Sequence, residues 1–301
     1  MILLQQEDGD GIYTRLDSKG ASGYYIIDTV LAVIAGYLFT INNYIPINIC
    51  LIFIMISTVL SIKFKDIYKQ KNEMINFKDF IRDYSSDIKM SFKFIKQSNR
   101  MKAYIIFASI FYGIIKTLST FKSNLLTDVG ATAEQFSLIY AVLNLIAAMS
   151  VQFTRKIQNK LKNKTLMVIS LSYIVSSILI GVIALSFTNN VALPIMLIFY
   201  IVIRVSDSQW WITEYTYLKN FTKPEYRNKI SFTYELISGV SASIISIIGA
   251  LILKYLDIKF AIILEGYAFL AIMILVLDYM KPRFGLKPKE YKKEDIEFPV
   301  S

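Results

Sequence analysis

Residues 200–217 read YIVIRVSDSQWWITEYTY and close an apolar run that begins at Val191. The run is long enough to enter a bilayer, yet this end of it carries Arg204, Asp207, Gln209 and Glu214. Charge inside a hydrocarbon-length helix is costly, so such groups face a bundle interior, pair with one another or line a water-filled path. Arg204, Asp207, Ser208, Trp211 and Tyr215 recur at helical spacing and share a face, with Ile201, Val205 and Ile212 elsewhere. One reading is a self-neutralising Arg204–Asp207 pair that only holds helices together. The other is a substrate or coupling-ion site, the default role of intramembrane ionisable groups.

Asp28, Lys116, Glu235 and Glu265 are further candidates within apolar runs. At a rise of ~1.5 Å per residue, Arg204 and Asp207 lie near mid-membrane and Asp28 about a third of the way in. Lys116 sits at mid to outer depth, Glu235 in the inner third and Glu265 in the outer third. Lys116 is expected to approach the space around Arg204, with Asp207, Glu235 or Glu265 as partner. Asp207 already has a neighbouring cation; Asp28 and Glu235 have no obvious local partner and are the better candidates to carry a proton. Their competing reading is snorkelling to the nearby interface. Asn144, Tyr112 and Tyr140 can add polar contacts. Trp210 and Trp211 read either as interface anchors or as the wall of a cavity for an amphipathic substrate.

Several chemistries are excluded. The chain has no His, which removes Ser-His-Asp triads, H-E-x-x-H zinc sites and His proton relays. A lone Cys50 rules out an intrachain disulfide. The DGDG at residues 8–11 has Ile12 where a calcium loop needs its next oxygen ligand, so an exposed turn is expected there. Neither a metal nor a cofactor is expected, nor an enzyme, because no external loop is large enough to hold catalytic motifs.

The elements that must position these residues are membrane helices. Of the 301 residues, 54% are apolar, and the mean hydropathy is +0.47. Apolar runs at 24–42, 45–62, 103–126, 135–154, 166–187, 191–215, 230–253 and 258–280 are each about one bilayer long. The expected fold class is therefore all-α, a polytopic bundle of about eight transmembrane helices. Pro46 suits the first turn of the second helix, and Thr132-Ala133-Glu134-Gln135 is a capping box.

The net charge of +10 does not point to nucleic acid, because the basic residues sit between apolar runs. Of the 33 Lys and Arg, 28 fall in 1–22, 63–102, 155–164, 218–229 and 281–301, all on one side of an eight-span arrangement. The opposite loops were assigned only Lys122, Lys254 and Lys259. The positive-inside rule then makes both termini and the linker cytoplasmic. The opening residues form no signal peptide. Within 63–102, Phe77, Phe80, Ile81, Tyr84, Ile88, Phe92 and Ile95 share one helical face, and Lys78, Arg82, Lys89, Lys93 and Lys96 take the rest. With Asn76 as cap, 77–97 reads as an amphipathic helix lying on the membrane surface.

Two spans precede this linker and six follow it, and the first pair echoes the last. Tyr13-Thr14-Arg15-Leu16 is echoed by Tyr215-Thr216-Tyr217-Leu218, and Ile34-Ala35-Gly36-Tyr37-Leu38 by Ile247-Ile248-Gly249-Ala250-Leu251. With its two spans, basic linker, six spans and tail, the chain resembles the last two-thirds of the major facilitator superfamily of secondary transporters. The most specific match is LKNFTKPEYRNKISFTYELISGVSASIISIIGALILKYLD (218–257), similar to a bacterial pattern in which Arg227 and Ser231 lead into the penultimate helix and Gly249 lies near its far end. The basic loop at 152–164 departs from that family, lacking the Gly and Asp of the usual gating motif.

The resemblance implies residues 1–62 as a remnant of the first helix bundle, 63–102 as linker, 103–281 as the second six-helix bundle and 282–301 as tail. It further implies a small-molecule substrate moved by alternating access between two bundles, with protons as a candidate coupling ion. Arg204, Asp207, Lys116, Asp28, Glu235, Glu265, Trp211 and Asn144 are then the candidate substrate or coupling-ion residues, and Arg227 and Ser231 the cytoplasmic gating candidates. On this reading a first half would be missing and the chain not competent alone. The alternative is a non-transporting membrane adaptor, or the remnant of a disrupted transporter gene.

Overall fold

The computed structural model describes residues 9–42, 44–62, 77–220, 222 and 227–283. They form ten α-helices, and among them there is no strand. In order these are α1 (Gly9–Ile41), α2 (Tyr44–Ile62), α3 (Phe77–Gln97), α4 (Asn99–Asp128), α5 (Ala133–Gln152), α6 (Thr154–Leu161), α7 (Thr165–Ser186), α8 (Asn189–Asn220), α9 (Arg227–Tyr255) and α10 (Ile258–Met280). All but α3 and α6 are long and apolar enough to cross a bilayer. The protein is thus an all-α, multi-pass membrane bundle. Tight turns join α4 to α5, α7 to α8 and α9 to α10, while α3 packs against α4 and α9 and α6 against α1, α5 and α7.

The spans match the apolar runs closely, with one large difference. Residues 9–11, expected in an exposed turn, are instead the first turn of α1. The stretch from Gly9 to Gly23 contains no proline, and the lower part of the helix has a surface to pack on, which outweighs the weak helix propensity of its glycines. On α1 the buried positions Ser18, Ser22, Tyr25, Thr29 and Gly36 follow the four-three spacing of a coiled-coil seam. They pack mainly on α5. Thr29 Oγ1 lies 3.4 Å from the Ala141 carbonyl, Gln152 donates to Ser22 at 3.2 Å, and a Cβ on Gly36 would fall 2.0 Å from Ser137 Oγ. Small residues let backbones approach closely, which matters where lipid supplies no hydrophobic drive between helices. Among the described residues, α2 packs mainly on α1 and presents its apolar surface outward, as a lipid-facing helix does.

The α5 capping box forms as the sequence indicates: Gln135 N–H donates to Thr132 Oγ1 at 3.2 Å, and Thr132 N–H to Gln135 Oε1 at 3.0 Å. Pro46 sits in the first turn of α2. Ser98 alone separates α3 from α4 and caps the latter, accepting from Met101 N–H at 3.1 Å. The helix α3 spans the residues the amphipathic pattern indicated; Asn76 and the side chains of Phe77, Phe80, Ile81 and Tyr84 lie outside the described residues. It rests on the ends of α4 and α9, burying Ser91, Phe94 and Ile95 and pairing Asp87 with Lys229 of α9 at 2.6 Å. Phe92, on the apolar face assigned to the membrane surface, is exposed, while Phe94 and Ile95 turn in toward the bundle.

Inside the six-helix portion the core is aromatic. Trp210 of α8 meets Phe111 and Phe107 of α4 edge-on at 5.0 and 5.9 Å, and Tyr104 stacks on Tyr217 at 5.4 Å. Serine and glutamine side chains fasten α8 to α5: Ser150 and Ser208 share a bond of 2.8 Å, and Gln209 donates to the Ser150 carbonyl at 2.7 Å.

Candidate functional site

Three spans bring a polar residue to mid-depth at one place. Arg204 on α8 pairs with Asp207 one turn on, Nη1 to Oδ2 at 3.0 Å, with both side chains 16% exposed. Its Nη2 donates to Asn144 Oδ1 of α5, and Asn144 Nδ2 donates to Asp28 Oδ2 of α1 at 2.8 Å. The guanidinium also stands 4.9 Å from the Tyr25 ring centre and 5.4 Å from that of Tyr140. The relay Asp207–Arg204–Asn144–Asp28 therefore crosses α8, α5 and α1. One guanidinium thus stands between two carboxylates, Asp207 directly and Asp28 through an amide, and the planar Arg fork serves two acceptors at once.

Above the pair lies a small cavity of about 70 Å³, lined by Arg204, Asp207, Tyr140, Tyr200, Ser119, Ser123 and Lys122 among others. Lys122 corrects the sequence reading. It was placed in an outer loop, but α4 continues to Asp128 and turns Lys122 inward, leaving it 6% exposed. Its Nζ donates to Tyr173 Oη at 2.8 Å; Tyr173 in turn donates to the Ile115 carbonyl, and Tyr200 Oη to the Lys122 carbonyl.

A second cavity, of about 230 Å³, lies nearer the α3 and α6 end, between α4, α8 and α9. Glu214 and Glu235 line it together with Tyr112, Trp211, Tyr215, Tyr234 and Ser238. Tyr234 Oη donates to Glu214 Oε1, and Tyr215 Oη to Glu235 Oε1 at 3.0 Å. Glu214 is 3% exposed, and its carbonyl accepts from Tyr104 Oη at 2.6 Å. Sequence reasoning passed over Glu214. Its signal was present in the same stretch as Arg204, but its partner Tyr234 lies on another helix.

The other candidates are dispersed. Lys116 is exposed and stands 5.2 Å over the Tyr112 ring; among the described residues it pairs with none of Asp207, Glu235 or Glu265. Glu265 on α10 is 2% exposed, and neither carboxyl oxygen has a hydrogen-bond partner. It faces Gly249 of α9, where a Cβ would fall 3.0 Å from Glu265 Oε1 and 2.9 Å from a methyl of Thr117. Trp210 is packed in the core, leaving Trp211 as the cavity residue. At the start of α9, Arg227 Nε donates to the Thr222 carbonyl at 3.4 Å, and Ser231, one turn on, is half-buried. A comparison with protein-family models finds none that matches this chain, and a search of curated proteins finds no relative of significant similarity.

Proposed function

We propose that the chain acts in secondary transport of a small polar solute, in the manner of the major facilitator superfamily, and that its eight spans suffice for this without the first half that the resemblance implies. The observation that carries this reading is the Asp207–Arg204–Asn144–Asp28 relay, set at mid-depth beside a cavity that also admits Lys122. Structural glue alone does not require a third helix to present a carboxylate to the same guanidinium through an amide. A relay of that kind can exchange partners, and intramembrane ionisable chains mark ion and substrate paths. An ionised or zwitterionic solute entering the cavity would compete for Arg204 and Lys122, and freeing Asp28 or Asp207 would couple its movement to a proton.

The test is accumulation. Proteoliposomes holding the full chain would be incubated with a bacterial small-molecule extract, under an imposed proton gradient and without one, and their lumen read by mass spectrometry. At least one solute is expected to be enriched over empty liposomes. Arg204→Lys, which keeps the charge but not the two-acceptor geometry, should reduce that enrichment at least tenfold. If nothing is enriched by the unaltered chain under either condition, the transport reading fails.

Orientation belongs to the same proposal. The basic excess of the linker and tail places them in the cytoplasm. Reporters inserted near Ser86 and after Ser301 should read cytoplasmic, and one at Asn189 external. An external signal at Ser86 would reverse the assignment.

A further inference from the structure

We propose that the cavity between Glu214 and Glu235 is a binding site for an organic ammonium ion. As a statement of substrate class this rests on the transport reading; as a binding site it stands without it. Two carboxylates and four aromatic rings, those of Tyr112, Trp211, Tyr215 and Tyr234, converge on about 230 Å³ of space. No lysine or arginine is among the lining residues, and neither glutamate forms an ion pair among the described residues.

Each carboxylate accepts one phenolic hydroxyl and keeps lone pairs directed elsewhere. Glu214 is buried, and holding its charge there beside a second carboxylate, that of the exposed Glu235, is unfavourable unless a positive charge joins them. An anion is therefore rejected, and a neutral solute leaves the need unmet. The aromatic rings decide which cation fits. A metal ion such as calcium or magnesium requires six or more oxygens at close range, whereas this wall supplies two carboxylates and mostly ring surface. Alkylated ammonium groups are recognised by rings whose faces carry negative potential, with a carboxylate at the side. One cation already uses this surface: the Lys116 ammonium lies 5.2 Å over the Tyr112 ring.

The site is separate from the Arg204 cavity and shares no lining residue with it. Trp211 gives it an optical reporter, because the chain has two tryptophans and the other, Trp210, is packed against Phe107 and Phe111.

The experiment uses the full chain in a maltoside detergent, free of choline lipids. The probes are choline and its uncharged carbon isostere 3,3-dimethylbutan-1-ol, read by tryptophan fluorescence and by titration calorimetry. Choline should give a saturable signal in both, and the isostere should bind at least tenfold more weakly. Trp211→Phe should abolish the optical signal. Glu214→Gln and Glu235→Gln should each weaken choline by roughly tenfold; Glu235 is exposed, so its replacement leaves the fold intact. Equal binding of the two probes, no saturable choline response by calorimetry, or unchanged affinity in Glu235→Gln would each overturn the proposal. Solute accumulation in proteoliposomes without choline binding would overturn the site and leave the transport reading standing. Choline binding without any accumulation would support the site and remove only its role in transport.

Discussion

Arg204→Met is expected to lower the stability of the detergent-solubilised protein by about 3 kcal/mol, the cost of leaving one partner of a buried pair uncompensated. Among the described residues, Arg204 is the only cation hydrogen-bonded within the relay. Without it, Asp207 loses its 3.0 Å ion pair, Asn144 Oδ1 loses its donor, and the Tyr25 and Tyr140 rings lose the guanidinium beside them. Methionine fills much of the same volume, so the loss reports on charge and hydrogen bonding more than on a cavity. The double variant Arg204→Met/Asp207→Leu should recover much of the loss, because removing both members of a buried pair is far less costly than removing one. Unfolding of both variants in a denaturing-detergent titration gives the coupling directly. A single variant as stable as the unaltered chain would mean that water already satisfies Asp207, and the relay would not be the centre of the site.

The reach of the sequence differs between fold and site for a physical reason. Helices reveal themselves locally: span 258–280 coincides with α10, and the Thr132–Gln135 box caps α5 where the spacing says it must. Within one helix, geometry is also legible, which is why Arg204 and Asp207 could be paired from their spacing alone. Contacts between helices are another matter. Nothing in the order of residues says that Asn144 stands between Arg204 and Asp28, or that Tyr234 reaches Glu214; those require the rotation and depth of separate helices. Lys122 reads as an outer-loop charge because it lies about one turn from the end of its apolar run, near enough for a lysine to snorkel out. The helix in fact continues to Asp128, and tyrosines on α7 and α8 receive the lysine. The small-residue seam on α1 was readable in principle, since Ser22, Thr29 and Gly36 lie seven apart, but its meaning depended on α5 being its neighbour.

Replacing Glu265 should act in the opposite direction: Glu265→Leu is expected to raise stability by about 2 kcal/mol. A buried polar group without a partner destabilises by roughly 1–3 kcal/mol relative to an apolar group of the same shape, and leucine is close to glutamate in volume. Both carboxyl oxygens lack hydrogen bonds, and the carboxyl lies close enough to Gly249 that a Cβ there would fall 3.0 Å from Oε1. The cations on the neighbouring elements are engaged elsewhere. Lys122 bonds Tyr173, Lys259 pairs with Asp128 at 3.2 Å, and Lys254 lies over Tyr255. Glu265→Gln should change little, because the amide is no better satisfied than the carboxyl. That ordering, leucine above glutamate and glutamate level with glutamine, separates an unsatisfied carboxyl from one held by an ion or a water. If leucine instead destabilises the protein, such a partner exists and the carboxyl is a binding group in its own right. If leucine stabilises while solute accumulation falls, the group is retained at a cost to the fold for what it does in transport, the trade expected of a functional residue in an apolar setting.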